Sequence, residues 1–564
     1  MPKRKLPIQG GAYKNIDEVS LTRNSPALID GYPNEAGSTV KRPGLSLWLD
    51  LNVPQIPIDG LYWWDKQKCI IAVCGKRVYR INEDKTKIDI TGAEMEQTGL
   101  TRIDDNGPSI YLANGKRIMA YDVAGMLSTP LMTGSGSDDL TANGTPTSAK
   151  SFKVVIDSVG ASDTFKWSDD GGVNYNATLV TITGAAQALS AGISITFSSA
   201  TGHTLDDFWY FYTTQTNTYL LPNRNAPDEV SHVGIHDSYL ICNKLNTGEF
   251  HFSEVASTPI FRALNFATAE SNPDDIVALH IAWREIALFG RKSIEVWFDD
   301  GQTPFSRLEG AFTERGCSAA YSVQFLDNTW MWLDNARRFS KMQGRSPVIV
   351  STPYDKVIQA LTRVDDAYSE VIEVNGRTFY VCTFPTDKFT VCYDWAANEW
   401  TQWARWNQLI AEYEHFVGRC HAYSPDWGLH LIGDRTTSKI YVMDAQYHTD
   451  AGETIRTTRR TGHVDHGTGN KKLCKGLRVK ILRGAGDDSG SVPKMVVRWR
   501  NDNGLWGQDH EVSLGAQGDS TFYGTLGHGR SLGTYRARQW EFVHTDDSSF
   551  ILVEAEEDFE VLSQ

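Results

Sequence analysis

The sequence lacks the features of several common protein classes. In 564 residues, no apolar run approaches the roughly 20 residues that a membrane-spanning helix needs, and no Cys-x-x-Cys pair suggests a zinc or redox motif. Positive charge is also scarce, since 55 Lys and Arg stand against 69 Asp and Glu, a net charge of −14. A protein that grips DNA through its phosphates is normally basic. The composition therefore argues against tight, non-specific DNA binding.

The eight cysteines lie mostly in apolar stretches typical of buried strands, such as Cys69-Ile-Ile-Ala-Val-Cys74. Buried free thiols are the favoured interpretation, with disulfides or metal ligation as the alternative. The basic segment Met1–Lys5 is not followed by the apolar region of a secretory signal. Together these features predict folding in a reducing cytosol.

Helical periodicity is rare, the best case being residues 353–364. Short alternating runs bounded by Gly, Asn or Asp predominate and predict an all-β fold. A degenerate repeat recurs, in which an apolar strand, a polar turn and a second strand end in an aromatic residue. The closing aromatics are Tyr79, Tyr121, Phe252, Trp297, Phe339, Tyr393 and Tyr441. Five of the six steps between them are 42 to 54 residues long, close to the ~40–50 of a four-stranded propeller blade.

The exceptional step, 131 residues from Tyr121 to Phe252, contains a segment at 133–215 whose composition differs from that of the repeat. A linker rich in Gly, Ser and Thr opens it, and five strand-like runs follow. Removing the segment restores a normal step. The pattern predicts a six- or seven-bladed β-propeller with an inserted β-sandwich module, whose removal should leave the remaining fold intact. The alternative is an array of β-sandwiches whose hairpins recur by chance.

The region after about residue 444 alternates polar and apolar residues and predicts a C-terminal β-sandwich. The predicted organisation is an N-terminal arm with the first blades at 1–132, the insert at 133–215, the remaining blades at 216–444 and the C-terminal domain at 445–564. The segment Glu554–Glu560 holds five acids in seven residues. It is interpreted as an edge strand protected by charge.

A catalytic constellation is not evident: no phosphate-binding loop, G-x-S-x-G elbow or H-E-x-x-H motif is present. His463-Val-Asp-His466 offers metal-ligand types, but a solvated loop is the favoured interpretation, and Asp509-His510-Glu511 is read as a polar turn. Ser168–Tyr175 resembles the sialidase Asp box, a structural hairpin turn with an anchoring aromatic. We predict no catalytic, cofactor-binding or metal-binding residue and no sugar site on the candidate exposed aromatics, which are Trp395, Trp400, Trp403, Trp406, Trp427 and Trp506.

Four places in the chain resemble the tail hub, or packaged-DNA stabilisation, proteins of short-tailed double-stranded DNA phages. They are Tyr32–Leu45 with its Arg-Pro-Gly, Ala282–Trp297, Glu314–Cys317 and Gly533–Trp540. The insert separately resembles a β-module of phage structural proteins, through Phe165–Ser168, Gly202-His-Thr204 and Asp207–Trp209.

The resemblance implies a non-enzymatic virion protein of the tail, assembled in the host cytoplasm without a cofactor or membrane insertion. It implies a homohexameric ring, or nozzle, below the portal-adaptor ring proteins, which retains the packaged DNA and acts as its conduit during ejection. Tail needle, plug, spike or fibre proteins are the implied partners below or beside it.

The charge suits a conduit, because an acidic bore does not hold phosphates. On this hypothesis, Arg456, Arg459 and Arg460 lie at subunit interfaces. The rival hypothesis is a propeller that binds or hydrolyses host surface polysaccharide. Hydrolysis needs two carboxylates in one cleft, for which Asp237, Glu285 and Glu373 are the candidates.

Overall fold

The computed structural model of the chain describes residues 3–15, 25–221, 225–255, 260–269, 274–301, 305–483, 491–519, 521, 523–527 and 531–562. Strands predominate in these residues, which confirms the all-β prediction. The helical elements described are 3-10 turns at Asp65–Gln67 and Thr352–Tyr354 and one short α-helix at Asp355–Gln359. The last two lie where the sequence shows a helical period. Within the described residues, no helix is both long and apolar enough to cross a membrane.

The chain divides into two units: a middle unit, Ile56–Cys317, and a split unit, which combines Met1–Gln55 with Ser318–Gln564. The middle unit contains four antiparallel, four-stranded sheets, numbered 1 to 4 in chain order. The strands of sheets 1 and 2 are Ile58–Trp64, Cys69–Cys74, Arg77–Ile81 and Lys87–Asp89, then Arg102–Asp105, Ser109–Ala113, Met119–Asp122 and Tyr219–Leu220. Those of sheets 3 and 4 are Val233–His236, Tyr239–Asn243, Glu249–Phe252 and Phe266–Thr268, then Ile276–Ala282, Glu285–Gly290, Ile294–Phe298 and Ser306–Arg307.

Tight turns and apolar strands explain these sheets. The hairpin of sheet 1 turns at Gly75, whose φ of 60° costs a glycine little, and its strand Cys69–Cys74 is buried throughout. Six of the seven closing aromatics of the repeat are buried, and the seventh, Trp297, is partly buried against the core of sheets 3 and 4. Tyr121, for instance, packs edge-on to Trp64. All eight cysteines are buried and outside any disulfide, as predicted.

The insert interrupts sheet 2 before its fourth strand. It has a five-stranded sheet of Leu131–Thr133, Phe208–Thr213, Lys150–Ser158, Thr164–Ser168 and Ala177–Thr181, and a three-stranded sheet of Leu140–Gly144, Ile193–Phe197 and Gln187–Ala188. Both sheets contribute to one core that includes Phe152, Phe197 and Trp209. The two ends of the insert meet, since the amide of Ser128 donates to the carbonyl of Tyr212 at 2.9 Å.

The split unit contains three further sheets, numbered 5 to 7. Sheet 5 is formed by Gln324–Leu326, Thr329–Leu333, Phe339–Gln343 and Ser346–Ile349, and sheet 6 by Tyr368–Val374, Arg377–Phe384, Phe389–Asp394 and Glu399–Gln402. Sheet 7 is formed by Gly418–Ser424, Leu429–Asp434, Lys439–Asp444 and Gly44–Asp50, and is extended by Thr449–Asp450 and Glu453–Thr454. A separate hairpin, Ala404–Asn407 with Glu412–His415, precedes sheet 7.

The fourth strand of sheet 7 therefore comes from the N-terminal segment. Gly44–Asp50 runs antiparallel to Lys439–Asp444, and Ala27–Ile29 joins sheet 6 through a parallel bridge to Gln402. The sequence repeat did not predict this pairing, because it is non-local and carries no periodic signal of its own.

The C-terminal region forms two sheets that share a core with Trp540 and Leu552. One consists of Lys3–Lys5, Gly31–Pro33, Thr39–Lys41, Ile551–Val561, Lys472–Ile481, Tyr523–Leu526 and Thr534–Tyr535. The other continues from sheet 6 through Ala27–Ile29 into Thr457–Arg460, Arg538–His544, Lys494–Asn501 and His510–Ser513.

The edge-strand prediction for the acidic segment is wrong. Ile551–Val561 is an interior strand, paired with Lys472–Ile481 on one side and with the strands at Thr39–Lys41 and Lys3–Lys5 on the other. Its acids face cations of these neighbours, in the pairs Glu554–Lys5, Glu556–Arg478 and Glu560–Lys475. The negative charge of the segment does not prevent strand pairing but complements the positive charge of the flanking strands.

Candidate functional site

The three acids considered for a glycosidase cleft occupy different settings. Asp237 lies in the hairpin turn of sheet 3 and Glu285 begins the second strand of sheet 4, both in the middle unit. Glu373 is an exposed residue of sheet 6, in the split unit. The structure groups Asp237 with His236 and Asp299 rather than with another of the predicted acids. The group could not be recognised in the sequence, because Asp299 lies 63 residues after His236 and the three residues match no known spacing motif.

The segment His463–His466 is packed, not solvated, so that interpretation is wrong. The amide of Val464 donates to the carbonyl of Arg538 at 2.8 Å, which draws the segment against the C-terminal sheets. The His466 ring stacks on Phe559, and its Nε2 lies 3.1 Å from Glu557 Oε2. Burial alone raises the pKa of Glu557, but hydrogen bonds from His466 and Tyr535 and the charge of Arg538 hold that pKa below its usual value. His466 thus belongs to an internal network centred on the Glu557 carboxylate.

Two other predictions about this region also need correction. His510 begins a strand and stacks on Trp499, so Asp509-His510-Glu511 is not simply a turn. Trp400 and Trp403, which we expected to be exposed, are buried. Trp506 is half-buried because the guanidinium carbons of three arginines lie 5.1–5.2 Å from its ring. These are Arg460, Arg498 and Arg500.

The Asp-box-like segment is a structural turn, as predicted. Asp170 Oδ1 accepts hydrogen bonds from the amides of Val173 and Asn174, each at 2.9 Å. Together with the hydroxyl of Ser168, these donors lower the pKa of Asp170. Tyr175, however, is 37% exposed and lies under the Lys166 ammonium, so the aromatic does not anchor the turn to a core.

The Arg-Pro-Gly motif of the N-terminal segment supplies a buried clamp in the split unit. Arg42 is fully buried, and its Nε donates to Asp30 Oδ1 at 2.7 Å. Its two terminal nitrogens donate to the carboxylate of Asp450 at 2.5 and 2.9 Å, and one also donates to the carbonyl of Ala404. Arg42 lies just before Gly44–Asp50, the fourth strand of sheet 7. The clamp therefore joins this segment to Thr449–Asp450, the strand that extends sheet 7, and to the hairpin that begins at Ala404.

Burial governs the electrostatics of this clamp. It raises the pKa of Asp30 to about 6, although the charge and hydrogen bond of Arg42 act in the opposite direction. The same desolvation acts against the charge on Arg42, but Asp450 and Asp30 outweigh it and raise the pKa of the guanidinium. Each ion of the clamp is thus stable in the interior only because the others are present.

Arg459 does not lie at a subunit interface, contrary to expectation. It is fully buried and donates to the carbonyls of Gly10 and Gln9 at 2.7 and 2.9 Å. Burial lowers its pKa to about 9. Arg459 therefore fastens the N-terminal segment inside its own unit.

A cleft of about 420 Å³ lies between the insert and the loop that follows the third strand of sheet 3, within the middle unit. On the insert side, the Lys153 ammonium lies 4.6 Å from the centre of the Phe208 ring and 5.2 Å from that of Tyr210. Phe261 and Arg262 line the opposite side. The recess thus combines aromatic walls with two cations, of which Lys153 lies over the rings of Phe208 and Tyr210 and Arg262 pairs with Glu254 at 3.0 Å.

Consecutive four-stranded antiparallel sheets, one after another along the chain, are the construction of the β-propeller class. The model of the family Phage_stabilise, described as "Bacteriophage P22 Gp10, beta-propeller", matches residues 172–448. This range is just under half of the chain. It runs from the insert through sheets 3 to 6 and the first three strands of sheet 7. The chain is thus similar to a phage propeller protein, and the match supports a structural, non-enzymatic component of the virion.

No curated protein sequence matches the chain. Among solved structures, dihydro-heme d1 dehydrogenase NirN in complex with DHE aligns with a TM-score of 0.33 and 8% identity, over 69% of this chain and 62% of that one. Kluyveromyces lactis Hsv2, with complete loop 6CD, aligns with a TM-score of 0.24 and 10% identity, over 63% of this chain and 98% of that one. Neither similarity is high enough to carry an argument.

Proposed function

We propose that this protein is the tail hub, or nozzle, of a short-tailed phage. In this proposal six copies form a ring below the portal-adaptor proteins, retain the packaged genome and pass it to the host during ejection. The observation that carries the proposal is the family match over residues 172–448, together with the succession of four-stranded sheets in that range.

The proposal includes a closed propeller in which sheets 1 to 7 are the blades. Each of these sheets contains four neighbouring antiparallel strands, and in sheet 7 the N-terminal strand Gly44–Asp50 supplies the fourth. A ring of blades buries both faces of every sheet, which no isolated sheet of this size can do. The insert and the C-terminal region then lie outside the blades as two-sheet sandwich modules.

The charge of the chain supports a conduit with a repulsive wall. Each copy carries a net charge of −14, and the negative potential increases as copies gather around one axis. Every fixed cation in the bore would add a salt-dependent attraction to DNA. We therefore expect mainly Asp and Glu along the bore, with few basic residues arranged as rings.

The insert is the element that we propose contacts a neighbouring tail protein such as a fibre. Its cleft presents Lys153 and Arg262 among aromatic rings, although the net charge of the chain is negative. Needle, plug or spike proteins would bind elsewhere on the ring. The assembled protein would be part of the virion tail, after assembly in the host cytoplasm.

The oligomeric state of the full chain tests the proposal. Native mass spectrometry and negative-stain electron microscopy should show a six-fold ring with a central hole, formed alone or on addition of the adaptor protein. The matched controls are Arg42→Met, which removes the buried clamp, and Arg405→Met, which removes an exposed ion pair with Glu453. The second variant should assemble like the wild type, and the first should not.

An enzymatic assay and a binding assay complete the test. Release of reducing ends from host surface polysaccharide, with turnover, would contradict the structural role and favour the glycan hypothesis. Tight binding of duplex DNA by the isolated protein at physiological salt would contradict the repulsive conduit. Rings without turnover and with weak, salt-sensitive DNA binding are the expected result.

A further inference from the structure

We propose that His236, Asp237 and Asp299 form a binding site for a divalent first-row metal ion of the zinc type. Their ligand atoms, one imidazole nitrogen and two carboxylate oxygens, all lie within 4.8 Å of one another. Among the described residues, this is the one group of His, Cys, Asp or Glu side chains with such an arrangement. The site does not depend on the tail-hub proposal.

The hairpin of sheet 3 and the end of a strand in sheet 4 hold the three residues. His236 ends the first strand of sheet 3, and Asp237 occupies the following turn, where φ is 45° at Asp237 and 70° at Ser238. Asp299 follows the strand Ile294–Phe298 of sheet 4. Its Oδ1 accepts a hydrogen bond from the amide of Gly301 at 2.8 Å, which orients the carboxylate.

The state of His236 points independently to a ligand. The residue is 4% exposed and its ring packs edge-on to Phe305, yet its Nε2 has no hydrogen-bond partner. Most buried polar atoms in proteins have a hydrogen-bond partner, and an ion or a water is one explanation for an exception. The nearest carboxylate oxygen, Asp237 Oδ2, lies 3.8 Å away, too far for a hydrogen bond. A metal ion between them would satisfy the nitrogen.

The donor set selects the kind of metal. Imidazole nitrogen suits zinc, copper, iron and nickel, whereas magnesium and calcium prefer oxygen alone. Three protein ligands with water in the remaining position are a common arrangement for zinc. The Asp237 side chain is 61% exposed and can rotate, so the separations can contract to the ~3–3.5 Å between ligands that zinc bonds of about 2 Å imply.

The consequence would be a link between two neighbouring sheets of the middle unit. His236 and Asp237 belong to sheet 3, and Asp299 follows a strand of sheet 4. A bound ion would tie the two together and stabilise the folded state in proportion to its occupancy.

Zinc binding to the full-length chain tests the site. The protein is stripped with EDTA, dialysed and titrated with ZnCl₂, and bound metal is measured by elemental analysis and calorimetry, with MgCl₂ in parallel. The variants are Asp299→Asn and His236→Gln. Asp275→Asn is the matched control, because Asp275 is a half-exposed carboxylate of the same unit that pairs with Arg291.

The wild type and Asp275→Asn should bind one zinc ion per chain more tightly than any further ions, and zinc but not magnesium should raise the unfolding temperature. Both site variants should weaken zinc binding at least ~10-fold, because mutation of even a residue that only hydrogen-bonds to a metal ligand lowers metal affinity by that much. Asp299→Asn decides the matter if His236→Gln does not fold. The proposal is overturned if the wild type takes up no zinc, or if Asp299→Asn binds it as tightly as the wild type.

Discussion

Replacing Arg42 by Met should destabilise the split unit far more than removal of any exposed ion pair. The guanidinium is fully buried between Asp30 and Asp450, whose side chains are 0% and 7% exposed. Met fills a similar volume but leaves two buried carboxylates without their cation. Breaking a buried ion pair from one side typically costs about 3–5 kcal/mol. For a unit of this size, that corresponds to a fall in unfolding temperature of roughly 6–10 °C.

The pH dependence of the loss provides a sharper check than its size. The pKa of Asp30 is about 6 in the folded protein, above the 3.8 of an unfolded chain. A carboxyl group with a raised folded pKa stabilises the fold below the unfolded pKa, and this contribution is lost as the pH rises through the folded value. Without Arg42 the folded pKa rises further. The difference between wild type and variant should therefore be larger at pH 8 than at pH 5.

The measurement combines thermal unfolding with hydrogen exchange, because a chain of two units need not unfold in one step. Exchange should accelerate in Gly44–Asp50 and its partner Lys439–Asp444, and much less in the middle unit. Arg405→Met is the control: its pair with Glu453 is exposed, and such pairs contribute about 0–1 kcal/mol. If Arg42→Met is as stable as Arg405→Met, or its deficit does not change with pH, the clamp does not close this part of the fold.

Three further predictions concern the insert and the buried histidines. His203 lies between Asp139 and Asp163, 2.9 Å from each; burial lowers its pKa but the two carboxylates raise it overall. The insert should therefore lose stability as the pH rises through that raised pKa. His203→Gln should lower the free energy of unfolding by about 3 kcal/mol at pH 6. In urea unfolding, the stability of this variant should also depend less on pH. The strand Leu131–Thr133 belongs to the sheet of the insert and Ser128 contacts Tyr212, so the deletion that tests the insert is 129–213 rather than the predicted 133–215. With a short Gly-Ser closure it should leave a soluble chain with unchanged sheet signals in circular dichroism, because the two ends meet. An insoluble product would show that the insert is part of the core. Burial lowers the pKa of His415 to about 4 and that of His544 well below its usual value. The stability of the fold should therefore decrease as the pH drops below about 6.5, the pKa of an unfolded histidine. His544→Phe should reduce this loss of stability in thermal unfolding.

Local patterns in the sequence predicted a large part of this fold. Alternating apolar and polar residues, together with turn residues a few positions away, predict the hairpins of the repeat, the strands of the insert and the burial of the cysteine thiols. The Asp170 turn was also predictable, because its acceptors and glycines lie within five residues. Each of these features is decided by near neighbours along the chain.

The larger errors involve partners that are distant in sequence. The acidic segment at 554–560 was mistaken for an edge because its cations, such as Lys5 and Arg478, belong to other strands. Arg459 and His466 were placed in solvent or at interfaces because their acceptors, Gly10 and Glu557, lie about 450 and 90 residues away. The group of His236 and Asp299 was missed for the same reason. Composition cannot indicate which polar residues find each other across a sheet.

The same non-local pairing bears on how the chain folds. Ala27–Ile29, Thr39–Lys41 and Gly44–Asp50 pair with strands that lie after residue 400, so the split unit cannot be completed until almost all of the chain has been synthesised. The middle unit has no such requirement, because all of its strands lie within residues 56–317. Contacts between distant segments form late, since they carry the largest cost of loop closure. We therefore expect the middle unit to gain protection from hydrogen exchange first during refolding, and Arg42, together with the strand that it holds, to be among the last parts to be protected.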